Sequence, residues 1–144
     1  MAGTVRFHML HSFRLNNRIK LTEFICKLFK KEGYTLESLD YIFCSDEYLL
    51  KINQDFLQHD DYTDIITFDL SESEAVVGEI YISIERVQEN ARLHGQSFSD
   101  ELLRVIFHGA LHLCGYKDKT QKDKMLMTRM EDYYLGQARN PKSL

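Results

Sequence analysis

Val76-Val77-Gly78-Glu79-Ile80-Tyr81-Ile82-Ser83-Ile84 decides the fold class. Ile80, Ile82 and Ile84 fall on one side of this run, and Glu79, Tyr81 and Ser83 fall on the other. A period of two predicts a β-strand with one face on a core. Its neighbours are of different kinds. Upstream, Ile65-Ile66-Thr67-Phe68 reads as a short strand, set off by a turn at Ser71-Glu72-Ser73-Glu74. Downstream, the pattern changes to that of a helix reaching His94 and stopping at Gly95.

The same reading extends to both ends of the chain. Val5 to Leu10 is a short strand, and residues 16–32 form a helix with Leu21, Phe24, Ile25, Leu28 and Phe29 at 3–4 spacing. Gly33 ends that helix. Leu39 to Cys44 has few polar residues and reads as a strand buried on both faces. Ser45 caps a helix with a stripe of Leu49, Ile52 and Phe56. His59 to Asp64 is a polar loop. Ser97 or Ser99 opens a further helix that runs to Cys114 and stops at Gly115, and residues 121–137 form a last helix. About four strands and about five helices predict an α+β domain (α/β-like), with a single mixed sheet packed against helices, spanning residues 1–144.

Composition supports a globular chain. Of 144 residues, 44% are hydrophobic and 28% charged, which excludes a disordered or fibrous protein. No apolar run approaches the ~18–20 residues of a membrane span, and the first residues lack the basic and apolar regions of a secretory signal. Cys26, Cys44 and Cys114 form no CxxC pair, which predicts reduced thiols in the cytoplasm. The net charge of −4 hides a division. Residues 1–31 carry seven Lys or Arg against one acid, residues 32–101 three against seventeen, and residues 102–144 eight against four. Both ends contribute to a basic surface if the fold brings them together, so the acidic average does not exclude a nucleic-acid partner.

The chemistry concentrates in Phe107-His108-Gly109-Ala110-Leu111-His112-Leu113-Cys114-Gly115-Tyr116-Lys117-Asp118-Lys119. His108 and His112 are four apart on the expected helix, so they share a face with Cβ atoms about 5–6 Å apart. Two such imidazoles can bind one metal ion, or they are two partly buried, hydrogen-bonded core histidines. Gly115 allows the chain to reverse, and Asp118 is the carboxylate in the short return. His108, His112 and Asp118 thus form a candidate two-His, one-carboxylate site. Gly109 stands where an HExxH peptidase places its glutamate base, which argues against that chemistry. A glycine inside a helix also implies a close approach to the backbone, by packed protein or by a ligand.

With Gly109, Leu111, Leu113, Gly115 and Tyr116 included, this stretch resembles the His-Gly-x-Leu-His-Leu-x-Gly-Tyr-Asp-His motif of the YbeY family of bacterial endoribonucleases and ribosomal RNA maturation factors. Asn53, Phe56, Asp60 and Thr63-Asp64-Ile65-Ile66-Thr67-Phe68 are similar to a second family segment, and Gly78-Glu79-Ile80 to its Gly-Asp-Ile strand. The resemblance covers residues 40–135. It implies a mixed sheet with helices and a zinc ion held by three histidines. It also implies single-strand-specific endoribonuclease activity, maturation of the small-subunit ribosomal RNA 3′ end, and ribosome quality control in the cytoplasm. Two positions depart from the family. Asp118 takes the place of the third histidine, with Lys117 at the family's Asp, and a carboxylate shifts metal preference from zinc toward Mn²⁺ or Mg²⁺. Leu57 takes the place of an arginine that suits the phosphate backbone.

Several further residues have two readings. Arg104 is one turn before His108 and either enters the cleft to bind substrate or forms an ion pair. Lys117 and Lys119, with Lys122, Lys124 and Arg129, either contact RNA phosphates or form a solvated face. Asp64 and Thr63 orient a ligand or satisfy a turn. Cys114 is predicted to face the core, and His8, His11, His59 and His94 have no ligand-like spacing. The expected protein is a metal-dependent endoribonuclease with one Zn²⁺ per chain, single-stranded or ribosomal RNA as substrate, the ribosome or its assembly factors as partners, and no membrane. No residue stands out as the general base. The alternatives are a ribosome-associated binding module with a structural or degenerate metal site, and a small-molecule hydrolase.

Overall fold

Residues 3–59 and 62–140 are described by the structure, a computed structural model. Asp60 and Asp61 of the expected loop lie outside the described residues. In chain order the elements are β1 (Thr4–Met9), α1 (Arg18–Lys31), β2 (Leu36–Cys44), α2 (Asp46–Leu57), β3 (Ile65–Asp69), β4 (Val76–Ser83), α3 (Ile84–Leu93), α4 (Phe98–Leu113) and α5 (Gln121–Ala138). The strands form one sheet in the order β1-β2-β4-β3. β1, β2 and β4 run parallel, and β3 runs antiparallel to β4 at the edge. This is the mixed α+β architecture expected from the alternating patterns.

The strand read through Ile84 ends one residue earlier. Ser83 has extended backbone, and its hydroxyl accepts the Arg86 N–H at 3.1 Å, so it caps α3 and makes Ile84 the first helical residue. Ile84 is buried all the same, which is why it continued the alternation. β2 starts at Leu36 rather than Leu39, with an irregular register between Leu36 and Ser38. Leu39, Tyr41 and Phe43 of β2 enter the main core, and Cys44 packs on the other side with Leu49, Ile52 and Ile66. Both faces of that strand are covered, as its apolar run implied.

α4 is the central helix of the main core, where Val105, Ile106, Phe107, Ala110 and Leu111 are buried with residues of α1, α5 and the sheet. Two glycines set how closely it lies on the sheet. A Cβ on Gly109 would come within 2.8 Å of Ile80 Cδ1 and 3.0 Å of Ile65 Cδ1. A Cβ on Gly78 would come within 2.6 Å of Leu113 Cδ1. The close approach at Gly109 is therefore made by packed protein, and it places His108 and His112 beside β3.

The caps agree with the sequence. Ser45, Ser97 and Thr120 accept backbone N–H bonds, and Thr120 with Asp123 forms a reciprocal capping box. Gly115 has φ of 93° and reverses the chain after α4. The two basic ends of the chain are also neighbours: Lys31 of α1 hydrogen-bonds the Tyr133 hydroxyl of α5 and lies 4.5 Å from its ring centroid. Among the described residues, no helix is long and apolar enough to cross a membrane.

Candidate metal centre

Helical spacing and the Gly115 reversal together bring three donors to one point. Nε2 of His112 lies 3.2 Å from Oδ2 of Asp118, and Nε2 of His108 lies 3.4 Å from the same oxygen. The rings of His108 and His112 meet edge to face, with centroids 4.6 Å apart. One ligand atom from each of the three residues lies within 4.8 Å of the others.

The other ring nitrogens of both histidines are already committed. Nδ1 of His112 lies 2.9 Å from the carbonyl oxygen of Tyr116. A carbonyl only accepts, so Nδ1 carries the hydrogen and Nε2 keeps its lone pair. Nδ1 of His108 lies 2.6 Å from Oε2 of Glu131, a carboxylate on α5 that sets the same tautomer. Both Nε2 lone pairs then point at a carboxylate oxygen. Three electron-rich atoms in such proximity repel one another unless a cation or proton lies between them. Imidazoles tied at the second nitrogen to a carboxylate or a carbonyl are the usual support of a metal site, and this donor set fits a divalent ion.

The surrounding charge favours a cation as well. Burial pushes the His108 pKa down, but the Glu131 hydrogen bond and the charges of Glu131, Asp118 and Asp64 outweigh it and hold the value above its usual level. Glu131 is in turn bonded by Arg104 at 2.8 Å, and Arg104 also holds Asp132. Arg104 thus stands behind His108 in an ion-pair chain. A small cavity of about 140 Å³ borders His108 there, lined also by Asp64, Glu101, Arg104 and Glu131.

A larger cleft of about 640 Å³ opens beside the three donors. It is lined by β3, by Asn53 and Leu57 of α2, and by His59, Thr63 and Asp64. Burial acts on the Asp64 carboxyl: desolvation raises its pKa, and the charge of His108 only partly offsets this. Its Oδ2 lies 3.5 Å from Nδ2 of Asn90. Lys117 and Lys119 are exposed on either side of Asp118, and neither makes an ion pair with a described residue. Cys114 is buried away from the donors, as expected.

Glu131 and His59 of this region were not singled out from the sequence, and Asn53 entered only through the family resemblance. Glu131 is 7% exposed and lies in the buried stripe of α5 with Met127, Tyr134, Leu135 and Ala138. A carboxylate inside an apolar helical stripe was the signal that could have found it. Asn53 is likewise buried in the stripe of α2, and His59, read as ordinary, lines the cleft.

The model of the endoribonuclease YbeY family matches residues 9–139. The endoribonuclease YbeY of Cytophaga hutchinsonii is 53% identical over 125 residues, covering 86% of this chain and 87% of the relative. That of Christiangramia forsetii is 45% identical over 130 residues, covering 90% and 91%. The solution structure of TM1509 from Thermotoga maritima matches with a TM-score of 0.63 and 33% identity, covering 96% of this chain and 93% of that one. With the family matched across most of its length and its histidine pair backed by Glu131 and Tyr116, the chain belongs to the endoribonuclease YbeY family.

Proposed function

We propose that this protein is a zinc-dependent endoribonuclease in which His108, His112 and Asp118 hold one Zn²⁺ ion per chain. The observation that carries the reading is the convergence of two Nε2 atoms on Asp118, with both Nδ1 atoms already committed. A zinc ion supplies Lewis acidity toward a phosphoryl oxygen and lowers the pKa of bound water. Mn²⁺ or Mg²⁺ is the alternative that the Asp118 carboxylate admits.

The chain's own residues supply the rest. Lys117 and Lys119 at the rim hold RNA phosphates. Arg104 neutralises Glu131 and so acts through His108 rather than on the substrate. Asp118 faces the histidines, and Asp69 sits at the exposed end of β3. Asp64 is thereby the half-buried carboxylate of the cleft that we assign as proton acceptor, at the oxygen that Asn90 does not approach. The substrate class is single-stranded RNA, and the cellular setting is maturation of the small-subunit ribosomal RNA 3′ end in the cytoplasm, with the ribosome or its assembly factors as partners. Residues 1–144 act as a single domain.

The test is cleavage of a single-stranded RNA by zinc-loaded protein, beside a folded His112→Ala variant. Turnover lost in the variant supports the reading. A second reading, a ribosome-associated binding module, is favoured by Leu57, an uncharged side chain in the cleft. RNA binding without turnover by the zinc-loaded protein would establish that alternative.

A further inference from the structure

β3 is the edge strand of the sheet and forms one wall of the cleft beside the histidines. Its hydrogen bonds fix which way each residue's main chain points. The Ser83 N–H donates to the Asp64 carbonyl at 3.0 Å, and the Leu70 N–H donates to the Val77 carbonyl at 2.8 Å. Both pairs lie in the register that matches Ile66 with Tyr81 and Phe68 with Glu79. Hydrogen-bonded pairs alternate along an antiparallel ladder, so Ile66 and Phe68 also turn their N–H and C=O toward β4. Ile65, Thr67 and Asp69 turn theirs outward, away from β4, and all three residues line the cleft. No described strand pairs with that edge. The Ile65 carbonyl accepts the Thr63 hydroxyl at 3.4 Å, which leaves Thr67 at the centre of the edge with an outward donor and an outward acceptor.

Away from the three donors that line the same cleft, the β3 wall is the wrong place for a phosphate chain. Among the described lining residues of the cleft there is no lysine or arginine, while Asp64, Asp69 and Asp118 are all acidic. Phosphates belong at the metal and at the rim by Lys117 and Lys119. The wall along β3 suits an uncharged part of RNA that carries a donor beside an acceptor and has a flat apolar face. A nucleobase has both. Its edge matches the N–H and C=O of Thr67, and its face can cover Leu57, which is 42% exposed on the cleft.

We infer that the cleft along β3 binds one unpaired nucleobase next to the scissile phosphate, hydrogen-bonded by the Thr67 main chain and packed on Leu57. This inference rests on the endoribonuclease reading. It also gives a physical origin for a preference for single strands, because a paired base has its hydrogen-bonding edge occupied. Leucine at position 57 then serves the face of a base.

The experiment uses zinc-loaded full-length protein and a single-stranded oligoribonucleotide cut at one site, in a series with one nucleotide at a time made abasic. One position adjacent to the cut is expected to lose about tenfold in kcat/KM, the scale of one or two polar contacts. Thr67→Pro removes the outward N–H together with the threonine side chain, and an edge strand tolerates proline where the N–H faces away from the sheet. The variant is expected to lose a similar factor on intact RNA and to show no further loss at that abasic position. A flat abasic series, or Thr67→Pro with wild-type kcat/KM and profile, overturns the inference. If Thr67→Pro does not fold, the abasic series decides alone. If the wild-type protein cuts nothing, the endoribonuclease reading fails, and fluorescence anisotropy with the same oligonucleotides still decides: binding weakened about tenfold at one abasic position supports the base site, and uniform binding overturns it.

Discussion

Nδ1 of His108 and Oε2 of Glu131 lie 2.6 Å apart, although the two residues stand on different helices. Arg104 holds the other oxygen of the same carboxylate at 2.8 Å, so the imidazole is oriented by a charge that is itself anchored. Its neighbour His112 has only the Tyr116 carbonyl in the equivalent place. The two imidazoles are therefore supported unequally, and the carboxylate side offers the stronger handle on ligand basicity.

Substitution Glu131→Gln weakens that support while keeping the shape of the side chain. Zinc affinity, read by competition with a chromogenic chelator, should fall by about 10–100-fold. Unchanged affinity would show that Glu131 serves only to pack α5.

Asp64→Asn is expected to separate stability from activity. Burial raises the Asp64 pKa, so the folded protein prefers the neutral carboxyl. The stabilising contribution of that preference is complete below the ordinary carboxylate pKa and is lost as pH rises through the raised folded value. At neutral pH the ionised side chain opposes folding. Asp64→Asn should accordingly raise the urea midpoint at pH 7, and the gap should close as the pH falls toward about 4. RNA cleavage should drop by about 10²-fold or more, the scale of a lost proton acceptor. A variant that is both stabilised and fully active would remove Asp64 from the mechanism.

The order and type of the elements were legible because hydrophobic period, serine caps and glycine stops agreed with one another. Ser45, Ser97 and Gly115 each act in the structure as their residue type suggested. The return of Asp118 onto the histidines was legible for the same reason, since Gly115 reverses the chain within a few residues. The supporting layer was not. The apolar stripe of α5 marks Glu131 as a buried carboxylate, but its partner His108 follows only from the packing of α5 on α4, which no local pattern encodes. The same holds for the choice at Gly109, where only the position of Ile80 shows that protein rather than ligand fills the space. Ile84 shows the opposite failure: a buried residue kept the strand pattern going after the backbone had turned into a helix.

Gly109→Ala should destabilise the fold despite alanine's higher helix propensity. The added methyl meets the fully buried Ile80 at both Cδ1 and Cγ2, at 2.8 and 3.0 Å. Overpacking of this kind costs about 1–3 kcal/mol, measurable by urea unfolding of the metal-free protein. A neutral or stabilising result would mean that α4 can lift off β4 freely.

The cysteines should behave as inert core groups. Burial pushes the thiols of Cys44 and Cys114 up to about 12, and raises Cys26 as well. The thiolate is the reactive form, so iodoacetamide at pH 7.5 should leave Cys44 and Cys114 unmodified in native protein and label all three cysteines in urea. Peptide mass spectrometry reads the outcome, and rapid native labelling of Cys114 would contradict its burial at the C-terminal cap of α4.

Metal content is the most direct test of the central claim. Protein purified without added metal should carry about one zinc ion per chain by inductively coupled plasma mass spectrometry, in line with a three-ligand site. Folded His112→Ala and Asp118→Ala variants should each lose it. A wild-type protein without bound metal that also takes up none on titration, or a zinc content unaffected by both substitutions, would contradict the assignment of His108, His112 and Asp118 as the metal centre.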